Sequence, residues 1–231
     1  MNKATTSSAP SAAKNLCWDC KQEIAAAPFC DHCGKIQPAG PGTDYFQFMG
    51  LPCRLQIDPK DLERRFYDMS RKFHPDFYQS ADARERQFSL ENSAVLNRAY
   101  RTLREPFARA EYLVKLTHGS DQEIAAAPPN ELLEEVFEFN ERLQEFQEEN
   151  DEGAKKSLAP ALEEDKRRFE EKDETLRTAL DALFQRWDAA ADAGEETAGI
   201  LEELRGLLSQ RKYIQNAVRD ITETLSCLTS A

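Results

Sequence analysis

Leu62, Phe66, Met69 and Phe73 recur at intervals of four, three and four residues, which places them on one stripe of a helix. Asp58 supplies the N-cap this helix needs, and Pro59 suits its first turn. Pro75 forbids continuation and pushes His74 out of the helical region. Upstream, DYFQFMGL (44–51) reads as a short helix capped by Asp44. Downstream, a helix is predicted from about 82 to 104 with Phe88, Val95, Ala99 and Leu103 facing in, and Pro106 opens a fourth, FARAEYLVKL. Three longer helices follow. The first, about 130–149, carries Leu132, Val136, Phe139, Leu143 and Phe146 on one stripe. The second is predicted to start near Pro160 and holds Leu162, Phe169, Leu176, Leu180, Leu183 and Trp187. The third holds Ile200, Leu204, Leu207, Ile214, Val218, Ile221 and Leu225. One core face on each makes a three-helix bundle the simplest architecture.

Glycine and proline cluster at GKIQPAGPGT (34–43) and THGSDQEIAAAPPN (117–130), which read as linkers. The expected organisation is all-α: a disordered tail (1–16), a tetracysteine metal-binding head with its linker (17–43), a four-helix unit (44–117), a linker (118–129) and an acidic three-helix domain (130–231). With 31% charged residues and only nine glycines, the composition favours helices over a sandwich or barrel. The net charge of −12 is concentrated at one end: residues 118–231 hold thirteen basic and twenty-eight acidic side chains. Such a field repels phosphate backbones, so proteins rather than nucleic acids are the expected partners. No apolar run approaches membrane-spanning length, so no membrane partner is expected. The first sixteen residues lack the apolar core of a secretory signal and contain no arginine, so the expected location is cytoplasmic, with an organelle such as the mitochondrial matrix as the alternative.

Four cysteines stand as C-x2-C-x9-C-x2-C at Cys17, Cys20, Cys30 and Cys33. Two intervening residues let both sulfurs of a pair reach one metal, and four thiolates complete the closed tetrahedral shell of structural Zn²⁺. Gly34, directly after the second pair, suits the tight turn of a zinc knuckle. A head with so few large apolar residues needs the metal to fold. Iron fits the same thiolate cage, and disulfides or a redox-active C-x-x-C are the rival readings. His32 reads as a solvated turn residue, and Cys53 and Cys227, which have no metal-spaced partner, as small buried hydrophobes. Stability, partner binding and self-association all stay open as roles for the head.

RKFHPDF (71–77) ends one helix, and the proline alone accounts for that. Around it, Arg64, Arg65, Arg71 and Lys72 fall off the apolar stripe and form a basic outer face, a longer helix follows, and the whole sits on a four-helix unit. This arrangement resembles the J domain of the co-chaperones that stimulate heat-shock ATPases. DYFQFMGLPCRLQID, RKFHPDF and LNRAYRTLREPFARAEYLVKL are similar to one branch in particular, the J-type co-chaperones of iron–sulfur cluster assembly, called HscB in bacteria. The resemblance implies a non-enzyme whose His74-Pro75-Asp76 loop docks on an ATPase of the HscA/DnaK class and accelerates ATP hydrolysis. Arg64, Arg71 and Lys72 would then steer an acidic chaperone face.

On the helix over 130–149, Leu133 and Phe137 lie roughly 100–140° from the core stripe and are not needed by one core face. They are expected to form an exposed apolar patch bordered by Glu138 and Glu141; Tyr213 likewise lies one position off the stripe of the last helix. In the family, the corresponding surface binds the IscU-type cluster scaffold, which implies client-contact roles for Leu133, Phe137, Glu138, Glu141 and Tyr213. Glu134 departs from the apolar residue common at that place. A general J-domain co-chaperone with other clients is the second functional reading, and a thiol–disulfide oxidoreductase the third.

Overall fold

The computed structural model describes residues 15–24, 27–40, 42–118 and 127–229. The expected tail up to residue 14 and most of the linker between the helical domains (119–126) lie outside these residues. Among the described residues the order is β1 (Asn15–Leu16), β2 (Glu23–Ile24), α1 (Tyr45–Phe48), α2 (Pro59–Phe73), a 3-10 turn (Pro75–Tyr78), α3 (Ala83–Arg104), α4 (Pro106–His118), α5 (Asn130–Glu148), α6 (Glu152–Ala193) and α7 (Ala198–Thr229). The chain is therefore all-α apart from the small cysteine head. It divides into two compact units, one within residues 1–53 and 57–103, the other within 54–56 and 104–231.

In the first unit the capping signals act as read. The Asp44 side chain accepts the Phe46 N–H, and that of Asp58 accepts the Lys60 N–H ahead of Pro59. Gly50 adopts φ +64°, and the Arg65 guanidinium approaches so closely that an added Cβ would lie 3.2 Å from it. Arg65 uses that space to donate to the Gly50 carbonyl at 2.8 Å. Leu62 and Phe73 are buried on α2, with Phe66 and Met69 half-buried between them. Helix α3 runs antiparallel to α2: Phe66 stacks on Tyr100 at 4.3 Å, and the other end is tied through Ser89 to Phe73. The buried face of α3 is partly polar. Beside Val95, Leu96, Ala99 and Leu103 it buries Glu85, Ser89 and Asn92.

In the second unit α6 and α7 form a long hairpin with two successive cores. Helix α4 supplies Phe107, Ala110, Leu113 and Val114 to one, together with Leu55. Both oxygens of the buried Asp188 accept the N–H groups of Leu55 and Gln56, each at 2.8 Å. Helix α5 supplies Leu132, Phe139, Leu143 and Phe146 to the other core, against Leu162 and Phe169 of α6 and Ile214, Ala217 and Ile221 of α7.

Two sequence expectations are corrected. Helix α6 starts at Glu152, well before Pro160, which lies inside it. The Asp151 side chain accepts the Ala154 N–H and begins the helix there. An interior proline costs about 3 kcal/mol; Leu158 and Ala159 pack on the core just before it and Leu162 just after it, which offsets that cost. Cys53 and Cys227 are exposed rather than buried. Cys53 stands in the connection after α1, and Cys227 lies on the solvent side of α7 near its end, so neither meets a core.

Candidate functional site

The cysteine head is built from two matching knuckles. Cys17 N–H donates to the Gln22 carbonyl and Lys21 N–H to that of Cys17; Cys30 N–H donates to the Lys35 carbonyl and Gly34 N–H to that of Cys30. The residue after each second cysteine is left-handed, Lys21 at φ +62° and Gly34 at φ +72°. The antiparallel pair β1–β2 flanks the first knuckle, and a Phe29–Ile36 bridge flanks the second. All four Sγ atoms lie within 4.8 Å of one another, with Cys17–Cys33 at 3.6 Å and Cys20–Cys30 at 3.7 Å. A tetrahedral site with bonds of about 2.3 Å has edges of about 3.8 Å, so the four thiols fit one ion. His32 is exposed in its turn, and its backbone N–H donates to Cys30 Sγ at 3.4 Å. Neither knuckle opens a helix, the context a redox C-x-x-C uses.

The four thiols are electrostatically unequal. For Cys17, burial acts to raise the pKa, but N–H donors from Cys20 and Asp19 outweigh it and bring it down to about 6. At Cys33 the Lys35 N–H acts to lower the pKa; burial and the neighbouring thiols prevail and push it up to about 12. A shared cation would supply the charge that lets all four ionise together.

The head is seated on α3 by that helix's buried polar side chains. Asn92 Nδ2 donates to the Gln37 carbonyl at 2.8 Å, and its Oδ1 accepts the Ala39 N–H at 2.9 Å. Glu85 pairs with Lys35 at 2.8 Å, and Trp18 packs edge-on against Phe88. Sequence reasoning missed Glu85 and Asn92, because both look like ordinary surface polar residues of a helix.

His74-Pro75-Asp76 stands exposed on a braced frame. The carbonyl of Phe73, where α2 ends, accepts the Ser89 hydroxyl at 2.6 Å and the Ser93 hydroxyl at 3.2 Å. Tyr78 reaches back to the Lys72 carbonyl at 3.1 Å. Within the turn, Phe77 N–H donates to the His74 carbonyl at 3.0 Å and Asp76 N–H to His74 Nδ1 at 3.3 Å. The side chains of His74 and Asp76 point to water, and Phe77 is 72% exposed. Ser89, Ser93 and Tyr78 are the positioning residues here, and no local pattern marks them. Arg71 and Lys72 are exposed at the end of α2; Arg64 is exposed one face along and pairs with Asp61. Arg64 and Lys72 also line a groove of about 410 Å³ with Phe29, Phe48 and Met69.

On the second unit, ion pairs set the helix register. Lys172 pairs with Glu135 and Arg211 with Asp173, so residues 135, 172–173 and 211 share one level. Arg142 and Glu135 mark the flank of α5 that faces α6, because Arg142 clasps the buried Asp165 at 2.7 and 2.9 Å. Leu133 then lies on the opposite flank, toward α7, with Phe137 beside it; Tyr213 lies on the α7 flank away from Arg211, at the same level. All three are exposed, Phe137 the most at 64%. Glu138 and Glu141 are exposed on the adjoining surface of α5.

No protein-family profile matches the chain. The iron-sulfur cluster co-chaperone protein HscB homolog of Arabidopsis thaliana is 37% identical over 129 residues. The fold agrees over far more of the chain: the crystal structure of human co-chaperone protein HscB superposes with a TM-score of 0.60 at 25% identity, covering 90% of this chain and 97% of that one. The chain is similar to HscB co-chaperones in both sequence and fold. Chaperone HscB from Vibrio cholerae shares the fold, with a TM-score of 0.55 at 23% identity over 80% of this chain and 99% of that one. The aligned stretch covers 56% of this chain and about half, 51%, of the Arabidopsis protein. No helix among the described residues is long and apolar enough to cross a membrane.

Proposed function

We propose that the chain is a co-chaperone that binds an iron–sulfur cluster scaffold protein of the IscU type and delivers it to a heat-shock ATPase of the HscA/DnaK class, stimulating ATP hydrolysis. The observation that carries this reading is the loop. Its recognition side chains face water while the backbone on both sides is hydrogen-bonded, so little ordering entropy is lost on docking. Asp76 offers a carboxylate to a cationic group of the ATPase and His74 a ring and a donor, with Arg64, Arg71 and Lys72 raising the encounter rate with an acidic face. The chain itself performs no bond chemistry; its contribution is to shift the partner between states. At the client end, the seam of Leu133, Phe137 and Tyr213 offers apolar anchors, with Glu138 and Glu141 as a charged rim. The tetracysteine head holds structural Zn²⁺, and the protein works in the cytoplasm or the mitochondrial matrix.

The test is single-turnover and steady-state ATPase of the partner with wild-type protein and with Asp76→Asn. The variant loses stimulation and keeps scaffold affinity. Stimulation undiminished in Asp76→Asn removes the loop from the mechanism.

A further inference from the structure

The head and the docking loop are joined by direct packing. Phe29, the residue before Cys30, stacks on Phe73 with ring centroids 5.2 Å apart and planes 9° from parallel. Phe73 is fully buried between Phe29 and Phe48 and immediately precedes His74. Its carbonyl is the one that Ser89 and Ser93 hold. A second path runs through α3. Gln37 Nε2 donates to Cys17 Sγ at 3.3 Å, the Gln37 carbonyl accepts Asn92, and Asn92 stands one turn from Ser89. Both paths start within the cysteine knuckles and end on the residue that launches the loop.

We infer that the metal-binding head positions the His74-Pro75-Asp76 loop through Phe29, so that an empty head leaves the loop loosely held. This rests on the docking-loop reading above. The head has few large apolar residues of its own, and its two knuckles place Phe29 only while four thiolates share one cation. Without it, Phe73 loses the stacked ring of Phe29, and the loop must be ordered when the ATPase docks. That cost falls on affinity, whereas Asp76 acts on the stimulated rate.

Full-length protein tests this with three preparations: metal-loaded Phe29→Ala, metal-loaded Phe29→Leu, and wild type stripped by chelator. Two readouts are taken, amide exchange at Asp76 and Phe77 and the concentration giving half-maximal ATPase stimulation. In Phe29→Ala, exchange accelerates and the half-maximal concentration rises, each about tenfold, with the maximal rate kept. Phe29→Leu restores both toward wild type, and stripped wild type matches Phe29→Ala. Unchanged exchange and half-maximal concentration in a Phe29→Ala protein that still holds one metal equivalent overturns the inference. Should that variant lose its metal, the stripped wild type decides: loop exchange unaltered by metal removal overturns it equally. Asp76→Asn is run beside them. If it still stimulates, the docking-loop reading fails, while the exchange data continue to test positioning.

Discussion

Replacing Asn92 with alanine removes two hydrogen bonds at once from a fully buried position on α3. The Gln37 carbonyl loses its Asn92 donor in a buried setting, and the Ala39 N–H loses its acceptor in a half-buried one. Each buried polar group left without a partner costs about 1–3 kcal/mol. Water can reach Ala39 in part, so the expected loss is about 2–4 kcal/mol. The chain carries a convenient reporter. Of its two tryptophans, Trp18 lies in the head against Phe88, while Trp187 lies in the second unit. Among the described residues the buried Trp187 indole N–H has no partner, so Trp187→Phe is a tolerable background. In that background, urea unfolding followed by Trp18 fluorescence reports the head and its seat alone. With a slope of about 2 kcal/mol per molar urea, the midpoint should fall by about 1–2 M. A midpoint within roughly 0.3 M of the parent refutes the claim that Asn92 holds the head.

Lys21→Gly should raise the thermal midpoint of the metal-loaded head by relieving its left-handed backbone, a gain of about 0.5–1 kcal/mol; no gain means that the knuckle tolerates lysine without strain. Asp165→Ala should destabilise the second unit by about 3 kcal/mol, because Arg142 and Arg168 are then left facing each other, and calorimetry reads the loss. Leu133→Ala with Phe137→Ala should leave unfolding within about 1 kcal/mol of wild type, since both side chains are exposed, yet weaken scaffold affinity about tenfold or more by titration calorimetry. Raising the salt concentration should slow chaperone association and leave dissociation nearly unchanged if Arg64, Arg71 and Lys72 act by steering.

What the sequence made legible was local. Asp44 and Asp58 cap helices whose first turns adjoin them, and C-x2-C spacing is itself the geometry of a knuckle, so these features were readable directly. The apolar stripes likewise located α2, α5 and α7, and the off-stripe positions of Leu133, Phe137 and Tyr213 foretold their exposure. The misses share a cause in distance along the chain. Asn92 serves a carbonyl 55 residues away and Ser89 one 16 residues away, so their polar character looked like a solvated face. Pro160 looked like a helix start because first-turn prolines usually are; burial on both sides of it overrode the local preference. No local pattern marks Phe29, and only the fold shows it lying on Phe73.

In the proposed function, one exposed loop couples scaffold binding to ATP hydrolysis in a second protein. Steady-state ATPase of the heat-shock chaperone, measured with wild-type protein, with and without the cluster scaffold, and again with Asp76→Asn, tests it most directly. Stimulation by wild type that rises further with scaffold and vanishes in Asp76→Asn is the predicted result. Equal rates with wild type and Asp76→Asn, whether or not scaffold is present, would contradict it.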